Sequence, residues 1–353
     1  MIFHRLFNRN TVFPVNNSRF ISTISKPNYA FAFDIDGVLI KGKRRIPEAT
    51  RALKLLNGDN ASNRRIPFVL LTNGGGVSEE EKARQISELV GIKIDPKQVI
   101  LSHSPMQNLA SKYNDKRVLI VGGKGRHCYN VAKNYGFKNA VTPHDVMHWN
   151  SSSWPHSTPT SDLSILTDTP VEFTKSPIHA VMVFHDTFDW GRDLQIMLDA
   201  LCSKDGILGT RKEDYTTQDV PLYWSNNDLI WSTDFPAPRL GQGAFKTALD
   251  SLYKQLTGHD LKSTSFGKPH AATYQFAEQV IHSLSEQQPQ RVYAVGDNPA
   301  ADIQGANNYG WTSVLVRTGV FVGRENSHEF PAKMVCENVE EAVEKIIAQE
   351  ELL

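Results

Sequence analysis

Asp34 and Asp36 stand two residues apart, just after the apolar run Ala30–Phe33 and just before Gly37. Side chains two apart in a strand point to one face, so both carboxylates can serve one site. In an open α/β sheet the carboxyl ends of the strands border the ligand crevice. A carboxylate pair there suits a divalent metal, or a nucleophile beside an acid/base. It equally suits a plain strand exit, because Asp favours turns. Three later segments repeat the pattern. Leu70–Leu71 runs into Thr72, Asn73 and Gly74–Gly76, a hydroxyl, an amide and backbone N–H groups able to hold phosphate oxygens. Gly267–Lys268–Pro269 brings a cation that can neutralise a phosphate. Val292–Val295 delivers Gly296, Asp297 and Asn298, with Asp302 following, and such hard oxygen ligands suit Mg²⁺. Taken singly, each segment is also an ordinary loop or turn.

The elements that must position these residues are legible as alternating apolar runs and helical patterns. Strands are expected at Ala30–Phe33, Ile66–Leu71 and Val99–Leu101, with helices at Pro47–Leu56, Glu79–Val90 and, more weakly, Met106–Tyr113. Pro47 suits a first helical position, and Gly58 and Gly91 suit helix ends. A middle section carries strands at Arg117–Val121, Ile178–Phe184 and Pro221–Trp224, helices at Arg126–Tyr135 and Asp193–Cys202, and a Ser/Thr/Pro-rich surface loop at 151–160. Beyond Gly241 and Gly243 come helices at Ala244–Gln255, Ala272–Leu284, Asp302–Tyr309 and Val339–Ala348, and strands at Arg291–Val295 and Ser313–Val316. Strands alternating with helices imply an α/β fold with a parallel sheet covered on its faces.

Composition narrows the function. The 353 residues are 40% hydrophobic and 22% charged, which is globular, and the length suggests two domains. Thirty-eight basic residues against 38 acidic ones disfavour a polybasic nucleic-acid binder. Cys128, Cys202 and Cys336 lie far apart, without zinc or CxxC spacing. No apolar run approaches the roughly twenty residues of a membrane-spanning helix. The zero net charge is a sum of unlike parts. Residues 1–33 hold Arg5, Arg9, Arg19 and Lys26 and no acid, so the remainder carries −4. A basic, hydroxylated, acid-free leader has the composition of a mitochondrial transit peptide. Residues 1–28 are expected to direct the chain to the matrix and to be cut between Phe20 and Ser25. An ordinary tail has the same composition.

Four motifs in this order, covering residues 30–320, resemble the haloacid dehalogenase (HAD) superfamily. They are Asp34/Asp36, Thr72, Lys268 and Asp297/Asp302. The resemblance implies a Rossmann-like core over 29–113 and 237–353. An inserted α/β cap of the C2 type would fill 114–236, because nearly two hundred residues part Thr72 from Lys268. The strings SNNDLIW (225–231) and RLGQGAF (239–245) resemble the cap-to-core return of class IIA. With DIDGVL, LTNGGG and VGDNPAADIQGA, they look most like the cat-eye-syndrome critical region protein subfamily. TNGGG stands where better-known relatives often carry TNNS, so their substrates do not transfer.

The resemblance further implies a Mg²⁺-dependent phosphatase of a small phosphorylated metabolite. Asp34 would form an aspartyl-phosphate. Asp36 would protonate the leaving alcohol and then activate water. Asp34, Asp297 and the Asp36 carbonyl would bind Mg²⁺. Thr72, Asn73 and Gly74 would hold the phosphate, Lys268 would supply charge, and Asp302 and Asn298 would support from behind. Asp228 and Arg239 are cap candidates for selectivity, or solvated surface charges. Trp224 and Trp231 are expected in the core, and His179 and His185 in structural roles. Two other classes remain: a phosphotransferase in glycerophospholipid or phospho-sugar metabolism, and a non-enzymatic mitochondrial scaffold. Caps of this kind often form homodimer surfaces.

Overall fold

The computed structural model describes residues 27–167, 170–231, 235, 237 and 239–352. The expected presequence and its cleavage site lie outside the described residues, apart from Pro27 and Asn28. The chain opens with β1 (Tyr29–Phe33), a hairpin of β2 (Ile40–Lys41) and β3 (Arg44–Arg45) exposed from Lys41 on, then β4 (Phe68–Leu71) and β5 (Val99–Ile100). Next come β6 (Arg117–Val121), β7 (Asn139–Val141), β8 (Ala180–Val183) and β9 (Leu222–Trp224). A second hairpin, exposed throughout its two strands, pairs β10 (Ile230–Trp231) with β11 (Arg239–Leu240), and β12 (Ser263–Ser265) follows. The chain closes with β13 (Arg291–Gly296), β14 (Thr312–Val316) and β15 (Met334–Cys336).

Two parallel sheets result. The first runs β15-β14-β13-β1-β4-β5 and the second β12-β9-β8-β6-β7. Residue type along β1 explains how the first is covered. Tyr29, Phe31 and Phe33 fill one face against the helices Ala49–Leu56, Glu79–Val90 and Val339–Glu350. Ala30 and Ala32 face the other way and let the helix Ala271–Leu284 approach through Tyr274 and Ala277. The second sheet alternates likewise. Leu119, Val121, Val181 and Val183 serve one core, and Val118, Ile120, Ala180 and Met182 the other. Helix ends follow local chemistry: Ser78 accepts from the Glu81 N–H, and Gly91 closes that helix at φ 70°.

Several boundaries differ from expectation. The first helix starts at Ala49, with Glu48 rather than Pro47 before it. Met106–Tyr113 is half 3₁₀ turn, up to Leu109, and half a short α-helix, Ala110–Tyr113, and its Met106 and Tyr113 pack into the second sheet's core. The expected return to the first layer at 237 comes later. The helix Gln242–Thr257 buries Phe245, Leu249 and Tyr253 in the second layer, and β12 pairs with β9, Ser263 opposite Leu222. The apolar stripe and the parallel pairing therefore hold the chain in the second layer as far as Ser265. Trp224 is buried as expected, but Trp231 is exposed on the β10–β11 hairpin. No helix among the described residues is long and apolar enough to cross a membrane.

Candidate active site

Three neighbouring strands of the first sheet, β13, β1 and β4, end at one place. Asp34 N donates to Val295 O at 2.9 Å, so Asp34 leaves β1 beside the end of β13, where Asp297 follows Gly296. β1 stops at Phe33, so strand alternation does not govern the aspartate pair. Instead Ile35 turns fully into the core, while Asp36 is exposed in a turn that bridges to Ile40. The chain turns at Gly37, with φ 86°. A Cβ there would lie 2.4 Å from Asp297 Oδ2, and one at Gly319 only 1.8 Å from the same atom. Glycine at both positions lets two loops close over Asp297, and Val320 N donates to its Oδ2 at 2.6 Å.

Lys268 enters from the second sheet, just past β12. Its side chain is 5% exposed, and Nζ donates to Asp34 Oδ1 at 2.7 Å and to Asp302 Oδ1 at 2.6 Å. Asp302 Oδ2 accepts from the N–H groups of Asp297 and Asn298 at 3.1 and 3.0 Å. Asn298 Oδ1 in turn accepts from Ala300 and Ala301. One lysine thus faces three carboxylates whose oxygens lie within 4.8 Å of one another. Burial pushes the Asp34 carboxyl well above its usual range, and Asp302 and Asp297 push it further against the pull of Lys268. Burial, then Asp302, raises Asp297 to about 7. Burial alone would lower the lysine, but Asp302 and Asp34 hold it above its ordinary value.

That donor set fits a hard divalent cation such as Mg²⁺, which takes one or two carboxylates and keeps waters. Both oxygens of Asp302 are already engaged, so Asp34 and Asp297 are the carboxylates left to hold it.

In the Thr72 loop, the Asn73 side chain and the Gly74 N–H have partners within the protein. Asn73 Oδ1 accepts from Lys268 N at 2.7 Å. Its Nδ2 donates to Lys268 O at 3.0 Å and to Asp228 Oδ1 and Oδ2, each at 3.2 Å. Asn226 Nδ2 donates to Asn73 O at 3.0 Å. The amide expected at the phosphate is therefore a staple between the layers, fixing the backbone that carries Lys268. The Gly74 N–H, also expected there, donates to Thr72 Oγ1 at 3.0 Å. Gly75 and Gly76 mark close packing: added Cβ atoms would lie 3.0 Å from His103 Cδ2 and 2.3 Å from His185 Cδ2. Of the two cap candidates, Asp228 contacts the Asn73 amide. Arg239 lies on the exposed hairpin, its guanidinium 4.3 Å from the centre of the Phe235 ring. Sequence reasoning missed Asn226, Gly319 and Val320. The SNND string held a signal for the first, and RTGV had none recognisable from spacing.

A model of haloacid dehalogenase-like hydrolases matches residues 31–138, and a second, HAD-hydrolase-like model matches 265–342. A mitochondrial hydrolase of Saccharomyces cerevisiae is 39% identical over 356 residues, covering 93% of this chain and 98% of that protein. A cardiolipin synthase (CMP-forming)/mitochondrial hydrolase fusion protein of Schizosaccharomyces pombe is 43% identical over 321 residues, or 89% of this chain. The match spans only 52% of that relative, about half its length. Among solved structures, a p-nitrophenyl phosphatase from Archaeoglobus fulgidus superposes with TM-score 0.61 at 16% identity, covering 91% of this chain and 100% of that one. With that Saccharomyces relative matched over 98% of its length and family models matching both an early and a late part of the chain, the chain belongs to the haloacid dehalogenase-like hydrolases.

Proposed function

We propose that the chain is a Mg²⁺-dependent phosphatase of a small phosphomonoester, acting through an aspartyl-phosphate. The observation that carries this reading is Asp34, almost buried, 2.7 Å from Lys268 and clustered with Asp297 at adjoining strand ends. Asp34 attacks phosphorus and the ester oxygen leaves with a proton from Asp36, whose exposure suits exchange with water. Asp36 then takes a proton from the water that hydrolyses the acyl phosphate, restoring Asp34. Acid/base help of this kind is worth about 10²–10⁴-fold. Asp34, Asp297 and the Asp36 carbonyl would hold Mg²⁺, which when bound supplies charge that offsets repulsion between carboxylate and phosphate. Lys268 adds a fixed charge, Asp302 positions it, and Thr72 contributes its hydroxyl to the phosphate. The second sheet serves as the cap that closes over the substrate. The relatives' names support a mitochondrial location, and the acid-free leader supports the matrix.

The test is a phosphomonoester panel run with Mg²⁺ and with EDTA. Phosphate release that needs Mg²⁺ and disappears in Asp34→Asn is expected. Full hydrolysis by that variant would remove Asp34 as nucleophile.

A further inference from the structure

The β2–β3 hairpin rises from the turn that contains Asp36, and it carries Lys41, Lys43, Arg44 and Arg45 in five residues, all exposed. No carboxylate among the described residues pairs with any of the four: Lys41 Nζ donates to Thr318 O at 3.3 Å, and Arg45 reaches Thr50 Oγ1 at 3.5 Å. Lys41 and Arg44 are direct cross-strand partners. Like charges so placed destabilise a hairpin unless an anion lies across them. Yet from Asp34 onward the chain is net acidic, so this cationic edge is local. Its tip stands clear, for a Cβ on Gly42 would meet nothing within 4 Å.

The loop to which Lys41 is tied has the complementary character. Thr318 Oγ1 also donates to Gly37 O, which binds loop and hairpin root together. Just beyond, Val320 is 50% and Val322 94% exposed. An extended cationic edge beside protruding aliphatic side chains suits a broad anionic, partly apolar partner better than a small solute in a pocket. We propose that this rim docks peripherally on an anionic lipid bilayer, presenting the mouth of the site to the headgroup layer. The docking is independent of which phosphomonoester the site hydrolyses.

The test is co-sedimentation of the full chain with vesicles of phosphatidylcholine alone or mixed with phosphatidylglycerol, at low and high salt. The parent should sediment with the mixed vesicles, release in high salt, and ignore phosphatidylcholine. Each cation near such a surface is worth roughly fivefold in partition, so a K43Q/R44Q/R45Q variant should lose about a hundredfold. V322D should also weaken binding. Leader cations are common to all variants and cancel in the comparison. Melting temperature checks folding, and hydrolysis of p-nitrophenyl phosphate is read in parallel and should not change. Loss of hydrolysis from every protein would sink the phosphatase reading and leave the lipid result standing. Equal sedimentation of parent and triple variant would overturn the proposal, as would a parent indifferent to phosphatidylglycerol. Hairpin-dependent retention on heparin without vesicle binding would also overturn it, by assigning the hairpin to a soluble polyanion.

Discussion

Asp34, Lys268 and Asn73 show how residues of familiar type acquire roles from their neighbours. Lys268 is buried between Asp34 and Asp302 and touches both within 2.7 Å. Removing one partner from such a cluster leaves charge uncompensated. Lys268→Met, measured by urea unfolding in EDTA, should cost about 3 kcal/mol, with activity lost as well. Asp34→Asn should fold, yet its kcat should fall by at least about 10³-fold, as expected when a nucleophile is removed. Asn73 separates two readings. If its amide held phosphate, Asn73→Ala would change binding and leave the fold alone. As a staple, its loss strands the Lys268 N–H and Asp228, so a stability loss of about 1–3 kcal/mol should accompany slower turnover. A variant as stable as the parent would return Asn73 to the phosphate.

At the scale of elements, the site depends on where strands stop. β1, β4 and β13 lie side by side, so short apolar runs far apart in sequence discharge their polar residues at one edge. The loop after β14 completes the arrangement, because Gly319 lets it lie against Asp297. Gly319→Ala cannot be accommodated without moving either the loop or the carboxylate. The Mg²⁺ concentration for half-maximal activity should rise about 10–100-fold, the usual effect of disturbing groups around metal ligands. An unchanged Mg²⁺ response would show that Asp297 does not depend on that loop. Helix limits such as Glu79 and Gly91 were legible because capping is local. The strands Asn139–Val141, Ser263–Ser265 and Met334–Cys336 were not, being three residues each and defined by their partners.

At the scale of the whole molecule, the seam between the layers is packed with imidazoles. His103 stacks on Phe184, and its Nδ1 lies 2.9 Å from Tyr135 Oη. Burial, with His185 nearby, pushes its pKa down to about 3. Burial, then Lys82, lowers His185 to about 4. Both folded values lie below the unfolded one of roughly 6.5, so the unfolded chain binds protons that the folded chain refuses. The histidine contribution is therefore intact above about pH 6.5 and is lost as the pH falls toward about 4. Unfolding free energies measured across that window should rise with pH more steeply in the parent than in His103→Gln. Identical slopes would place the imidazole in water.

The sequence by itself determined the α/β alternation, the order of the four acid-, hydroxyl- and lysine-bearing segments, and the strand ends that carry Asp34 and Asp297. Those features are local: an apolar run, a turn residue and a charged residue in series constrain the backbone wherever they occur. Only the tertiary structure decided that Asn73 staples Lys268, that Gly75 and Gly76 admit two histidines, and that the helix Gln242–Thr257 belongs to the second layer. Each depends on a partner distant in the chain, up to 195 residues for Asn73 and Lys268. An amide or a glycine can serve a ligand or a neighbouring loop equally well. Which it serves is set by what the packed sheets bring within hydrogen-bond reach.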